Sequence, residues 1–171
     1  LRVVVPQPER NPSMGCRGVR GLLSSQEVLR KQLRAILRAA KDVQNVSVLG
    51  PFVTTLSDMQ RMKAAVLEER VSLMKAKIAC ATNVAIAPII EVPAAAIAVG
   101  AILNESDFAV VAVDDLQAHL LGADRDNIAV RDYYEMVHPA VFEVLARMCK
   151  DAERRKKPLV LFGESAAEPM R

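Results

Sequence analysis

Hydrophobic positions along the chain follow two alternating patterns. Val46–Leu49, Val84–Ile90, Phe108–Val113 and Leu159–Phe162 are short apolar runs rich in Val and Ile, as buried strands are, and Val3–Val5 is a shorter fifth. Between them apolar residues recur at helical spacing. Ser24 with Glu27 makes a capping-box pattern, and the helix it opens places Leu29, Leu33, Ile36, Leu37 and Ala40 on one face. Arg30, Lys31, Arg34 and Arg38 solvate the other. Thr55 caps a long helix running to about Ile78, with Leu56, Met59, Val66, Leu67 and Met74 inward. Ala94–Leu103 is a third helix. A fourth runs from His138-Pro139 to Lys157, buries Val141, Val144, Leu145 and Met148, and stops at Pro158. The proline- and glycine-bearing stretch from Pro6 to Gly21 reads as a loop.

Strands alternating with helices predict an α/β fold with parallel strands and right-handed crossovers. No interior linker divides the chain, so residues 1–171 read as a single domain. Five strand candidates do not close an eight-stranded barrel, which takes about 250 residues. The chain opens on Leu1 rather than Met, as a piece of something longer would.

Composition narrows the picture. Half the residues are hydrophobic, aromatics are few and Trp is absent, so the core is aliphatic. A net charge of +3 is too weak a signal for nucleic acid. Cys16, Cys80 and Cys149 are odd in number and far apart, which suits a reducing cytoplasm better than a disulfide framework or a zinc site. Val84–Leu103 is long enough to span a membrane. Glu91 in its middle would cost about 2.5–3.5 kcal/mol there, and Pro88 and Pro93 interrupt a continuous helix, so strand, loop and helix is the better reading. No signal peptide is visible at the start.

Two of the apolar runs end in acid. Val84–Ile90 stops at Glu91, and Phe108–Val113 stops at Asp114-Asp115. The carboxyl ends of buried parallel strands form the mouth where such folds hold ligands. Carboxylates on nearby strands could share Mg²⁺ there, although acids after strands also cap helices, and Asp114 and Asp115 alternate faces. Arg17 lies between Gly15 and Gly18, where backbone can approach a ligand and a guanidinium can grip a carboxylate or phosphate through two parallel bonds. Arg125, in Gly122-Ala-Asp-Arg-Asp-Asn127, has the same two readings, ligand grip or solvated loop. Gly163-Glu-Ser-Ala-Ala167 looks like a nucleophile elbow, but Ala167 stands where a glycine is needed and no His follows Ser165, which rejects a serine hydrolase. His119 and His138, the two histidines, default to packed or solvated roles. The basic helix end Arg154–Lys157 is a solvated terminus.

In order, the segments NPSMGCRGVR, QLRAILRAA, IIEVPAAA, VDDL, ADRDN and FGES resemble the phosphoenolpyruvate-utilising enzymes. Within them the likeness is greatest to the Enzyme I group, the phosphoenolpyruvate-protein phosphotransferases of the bacterial sugar phosphotransferase system. It runs from about Pro6 to Glu164. The resemblance implies a (β/α)8 TIM barrel of the phosphoenolpyruvate/pyruvate-binding type, incomplete in this chain. It implies Mg²⁺ held by Glu91 and Asp115, and substrate held by Arg17, Arg125 and the Asp114 position. It further implies phosphoryl transfer to a histidine on a separate domain with pyruvate as product, the histidine phosphocarrier protein HPr as a partner reached through that domain, and a homodimer. The physics agrees, because a substrate with a carboxylate and a phosphate needs gathered cations, and phosphoryl transfer is helped mainly by positioning and charge neutralisation.

Three departures from the pattern bear on activity. Phe162 stands where the family has a Cys that protonates the enolate. Asp114 replaces an Asn, exchanging an amide donor for a carboxylate that only accepts and repels an anion by about 1–4 kcal/mol at close range. Val92 replaces a Thr, with loss of a hydroxyl. These residues also include neither a phosphohistidine domain, nor the strand carrying the family's first substrate arginine, nor the barrel's last strands. Besides the phosphotransferase, the pattern therefore permits a degenerate relative with a binding or regulatory role, and the Glu91–Asp115 spacing alone permits a Mg²⁺-dependent lyase of 2-oxo acids.

Overall fold

A computed structural model describes residues 8–134 and 138–164. Among them, four strands form one parallel sheet in sequential order: β1 (Ser47–Gly50), β2 (Ala85–Ile90), β3 (Ala109–Ala112) and β4 (Leu159–Phe162). Each crossover steps one strand in the same direction, as in a barrel wall, whereas a doubly wound sheet reverses. The wall is open, so the structure is a partial barrel. Val3–Val5, the fifth predicted strand, lies outside the described residues, as does Ser165 of the rejected elbow.

Strand parity sorts side chains to two faces. Val48, Ile86, Ile90, Ala109 and Val111 point into the core against the helices α2 (Gln26–Ala39), α3 (Leu56–Lys75), α5 (Val99–Asn104) and α7 (Pro139–Arg155). The register Leu49↔Ala87, Ile89↔Val110, Val110↔Val160 and Ala112↔Phe162 builds the opposite, inner face. That face is open at its margins, where Leu49 is 39%, Val160 46% and Phe162 64% exposed. The residue after Ile90 returns to the inner face at the sheet's carboxyl edge, and it is Glu91.

Several helices differ from the expectation. Gly18–Ser24 is a helix, α1, where the glycines read as a loop. Ser24 does not cap α2; its hydroxyl donates to the Gly21 carbonyl at 2.8 Å and finishes α1, while Ser25 takes the N-cap position. Thr55 does cap α3, reciprocally with Asp58. The buried stripe of α3 is Met59, Met62, Val66, Glu69 and Leu73, leaving Leu56, Leu67 and Met74 exposed. Glu69 can sit there because Arg30 and Arg34 of α2 clasp its carboxylate at 3.3 and 2.7 Å. The third predicted helix breaks at Ala98 into α4 (Pro93–Ile97) and α5. His138 caps α7, its Nδ1 accepting the Ala140 N–H at 3.2 Å. The largest addition is α6 (Val113–Leu121), which takes Val113 from the predicted strand and places Asp114 and Asp115 in its first turn. No helix among the described residues is long and apolar enough to cross a membrane, and Val84–Leu103 folds as β2, α4 and α5.

Candidate functional site

The carboxyl edge of the sheet carries Phe52 after β1, Glu91 after β2, the first turn of α6 after β3, and Phe162 at the end of β4. Glu91 is the chemical centre of this edge. It is 3% exposed, and its Oε1 accepts the Phe52 N–H at 2.7 Å. Its Oε2 lies 4.0 Å from Nη2 of Arg17. Its main-chain oxygen lies 2.7 Å from His119 Nδ1, and since a carbonyl only accepts, that nitrogen carries the proton.

Burial pushes the Glu91 carboxyl above its ordinary range, the Phe52 N–H opposes this, Asp115 pushes it further up, and Arg17 and His119 ease it. Two carboxylates that repel each other at one rim favour a shared cation. The raised pKa also fixes a sign. Below the ordinary carboxylate pKa, Glu91 is protonated in folded and unfolded chains alike and carries no penalty. As pH climbs from there through its higher folded value, ionisation in the buried site costs stability. Urea unfolding midpoints of the ligand-free chain should therefore fall as pH rises from the ordinary carboxylate range through the raised folded value, and Glu91→Gln should flatten this component of the fall.

Arg17 is the residue preceding α1, held there by the close approach of that helix to the turn after β1. Gly18 adopts φ +55°, a side chain there would sit 2.4 Å from the Pro51 carbonyl, and the Val19 N–H donates to that carbonyl at 2.8 Å. Arg17 Nη1 also donates to the Ser13 carbonyl at 3.3 Å. Asn11, Ser13, Arg17, Asp115, His119 and Arg125 all line one cavity of about 380 Å³, with Arg125 contributed by the turn after α6. Four of the five predicted site residues thus meet at one rim, namely Arg17, Glu91, Asp115 and Arg125.

Asp114 faces elsewhere. Its Oδ2 accepts the Glu164 N–H at 2.7 Å, and its main-chain oxygen accepts the Tyr134 hydroxyl at 3.3 Å. Gly163, at φ +143°, lets the chain after β4 pass this close, since a side chain there would sit 2.7 Å from Asp114 Oδ2. Asp114 therefore ties α6 to the end of β4 and lies outside the cavity lining, as does Phe162. Among the described residues no three His, Cys, Asp or Glu side chains form a metal-holding group. Mg²⁺ is commonly held by one or two carboxylates plus substrate oxygens and water, and Glu91 and Asp115 are the pair at this rim that could hold it.

Phe52 and Arg20 are site neighbours that the sequence alone did not single out, and His119, read there as packed or solvated, is a third. The Arg17 and Arg20 guanidiniums lie 5.0 and 4.5 Å from the Phe52 ring centroid, and the His119 ring meets it edge-on at 5.7 Å. Gly50-Pro51, a turn dipeptide, is the sequence signal next to Phe52.

A family model described as the PEP-binding domain of PEP-utilising enzymes matches residues 3–171. The chain is 33% identical over 162 residues to proteins named phosphoenolpyruvate-protein phosphotransferase from Bacillus sp. and Geobacillus stearothermophilus, covering 95% of this chain and 28% of theirs. It is 32% identical over 174 residues to a Salmonella typhimurium protein named phosphoenolpyruvate-dependent phosphotransferase system, covering 97% and 22%. It is 30% identical over 161 residues to a multiphosphoryl transfer protein of Xanthomonas campestris, covering 94% and 18%. The chain spans 18–28% of the length of these curated relatives.

Proposed function

This chain belongs to the PEP-utilising enzymes, matched over their PEP-binding domain, and on that premise we propose that residues 1–171 are the phosphoenolpyruvate-binding part of a cytoplasmic phosphoenolpyruvate-protein phosphotransferase. The observation that carries this reading is the convergence of Arg17, Arg125 and Asp115 on one cavity with buried Glu91 at its rim. The two guanidiniums bind the phosphate and carboxylate of the substrate, each through paired charge-assisted bonds. Glu91 and Asp115 would hold Mg²⁺, which when bound neutralises charge on the phosphoryl group. His119, donating its Nδ1–H to the Glu91 carbonyl, fixes the peptide that carries that carboxylate. The phosphoryl acceptor is a histidine outside these residues, rephosphorylating the phosphocarrier protein HPr, and the natural assembly is a homodimer. The three free cysteines suit a reducing compartment.

Calorimetric titration of the complete protein with phosphoenolpyruvate tests this. Saturable heat with Mg²⁺, lost when the metal is chelated, is expected. Absence of heat with Mg²⁺ present overturns the reading.

A second reading has one observation in its favour. After phosphoryl loss the enolate needs a proton at its methylene carbon, and Phe162, at the end of β4 and 64% exposed, has none to give. A binding or regulatory relative that keeps the site without turnover fits this. Phe162→Cys separates the two: pyruvate formation that appears only in the variant supports the degenerate relative, and equal turnover by both supports the active enzyme.

A further inference from the structure

We propose that Phe52 is the positioning residue of this site, holding the substrate-binding cation apart from the cation-binding carboxylate. The difficulty it resolves is general. Arg17 must face an anionic substrate, yet a buried carboxylate, Glu91, stands beside it. A guanidinium with a mobile stem would close on such a carboxylate in a bidentate pair and cancel both groups. Here closure stops at 4.0 Å, beyond hydrogen-bond length.

Beside the Ser13 carbonyl, which holds Arg17 Nη1 at 3.3 Å, one residue acts on both members of the pair. The Phe52 ring holds the Arg17 guanidinium carbon at 5.0 Å, within cation–π range. Its N–H occupies one acceptor site of Glu91 Oε1 at 2.7 Å and so competes with a bidentate pair for that oxygen. Its ring edge meets His119, which holds the Glu91 carbonyl from the other side. Arg20 also lies over the ring at 4.5 Å, but three of its N–H bonds go to Thr54 Oγ1 at 2.9 Å and the Met14 and Gly15 carbonyls at 3.2 and 3.4 Å. It thus braces the loop before Arg17 and leaves Arg17 as the guanidinium aimed at the cavity.

The backbone shows that this placement is imposed. Phe52 is 2% exposed and sits at φ +63°, a left-handed conformation costly for a bulky residue and one that clusters at functional sites. The turn presents the N–H to Glu91 and the ring to Arg17 at once.

The ligand in this inference rests on the proposed phosphoenolpyruvate site, whereas the stacking does not, and the test separates the two. Arginine Nε–H resonances of the full chain would be recorded for the native protein, Phe52→Leu and Phe52→Tyr, with exposed Arg147 as the internal reference. Native Arg17 and Arg20 signals are expected upfield of Arg147 through the ring current. They should return to its position in Phe52→Leu and stay displaced in Phe52→Tyr. Phosphoenolpyruvate with Mg²⁺ should bind about 10-fold more weakly to Phe52→Leu, with binding rescued in Phe52→Tyr. Native Arg17 signals coincident with Arg147, or unchanged affinity in Phe52→Leu, overturn the proposal. Should Phe52→Leu fail to fold, the native and Phe52→Tyr resonances decide it. Should the native chain bind no phosphoenolpyruvate, the functional reading falls and the resonances still decide the role of Phe52.

Discussion

Glu91→Gln is expected to leave the fold intact and to weaken Mg²⁺-dependent phosphoenolpyruvate binding by about 100-fold or more, since loss of even an outer partner of a metal ligand costs up to that much. The amide is the informative choice. Its carbonyl oxygen can still accept the Phe52 N–H, whereas Glu91→Ala would strand that N–H at about 1–3 kcal/mol. What Gln removes is the charge. Because burial and Asp115 both disfavour the ionised form, the ligand-free Gln variant should be at least as stable as the native chain at neutral pH. Thermal unfolding and calorimetry on the same samples check both halves. A Gln variant that still shows Mg²⁺-dependent binding would remove Glu91 from the cation site.

Gly18→Ala is expected to be the most damaging small substitution at the rim, costing about 3 kcal/mol or more. A left-handed backbone disfavours Ala by about 1–2 kcal/mol, and the added carbon would lie 2.4 Å from the Pro51 oxygen and 2.7 Å from Phe52 Cβ. Neither neighbour is the far end of a flexible side chain, so α1 must move away from the β1 turn. Arg17 moves with it, and substrate affinity should fall alongside a drop in midpoint temperature of about 10 °C. Ala at this position with unchanged melting would show that the close approach of α1 to Pro51 is dispensable.

How much of this was readable beforehand follows from what each signal depends on. The strands were legible because burial on both faces writes an uninterrupted apolar run, and all four described strands lie within a residue of their expected runs. Glu91 and Asp115 were legible as acids closing those runs, and Arg17 as an arginine between glycines. Two helices were not. Three glycines at a spacing of three disguised α1, of which Gly18 is there for its conformation and Gly21 is buried. The start of α6 was hidden because Val113 continues the apolar run of β3 without a break, so the switch from strand to helix leaves no mark. The stripe of α3 was misjudged because its register is fixed by Glu69, an acid whose burial depends on two arginines on another helix. Phe52 belongs to the same class. Its importance lies in a positive φ and in partners 32 to 67 residues away, neither of which a local pattern encodes. Asp114 was legible as an acid at the rim, but its direction was not, since that is set by the backbone after β4.

On the proposed reading Glu91 and Asp115 would hold a divalent cation at the carboxyl edge of the sheet, beside the arginine-lined cavity. Paramagnetic broadening by Mn²⁺, added in place of Mg²⁺ together with phosphoenolpyruvate, tests it residue by residue. The account predicts that the amide signals of Phe52, Glu91, Asp115 and His119 broaden first and that Mg²⁺ restores them by competition. Broadening centred on another acidic position, such as Glu27 and Glu69 on the outer helices, with the rim signals left sharp, would contradict it.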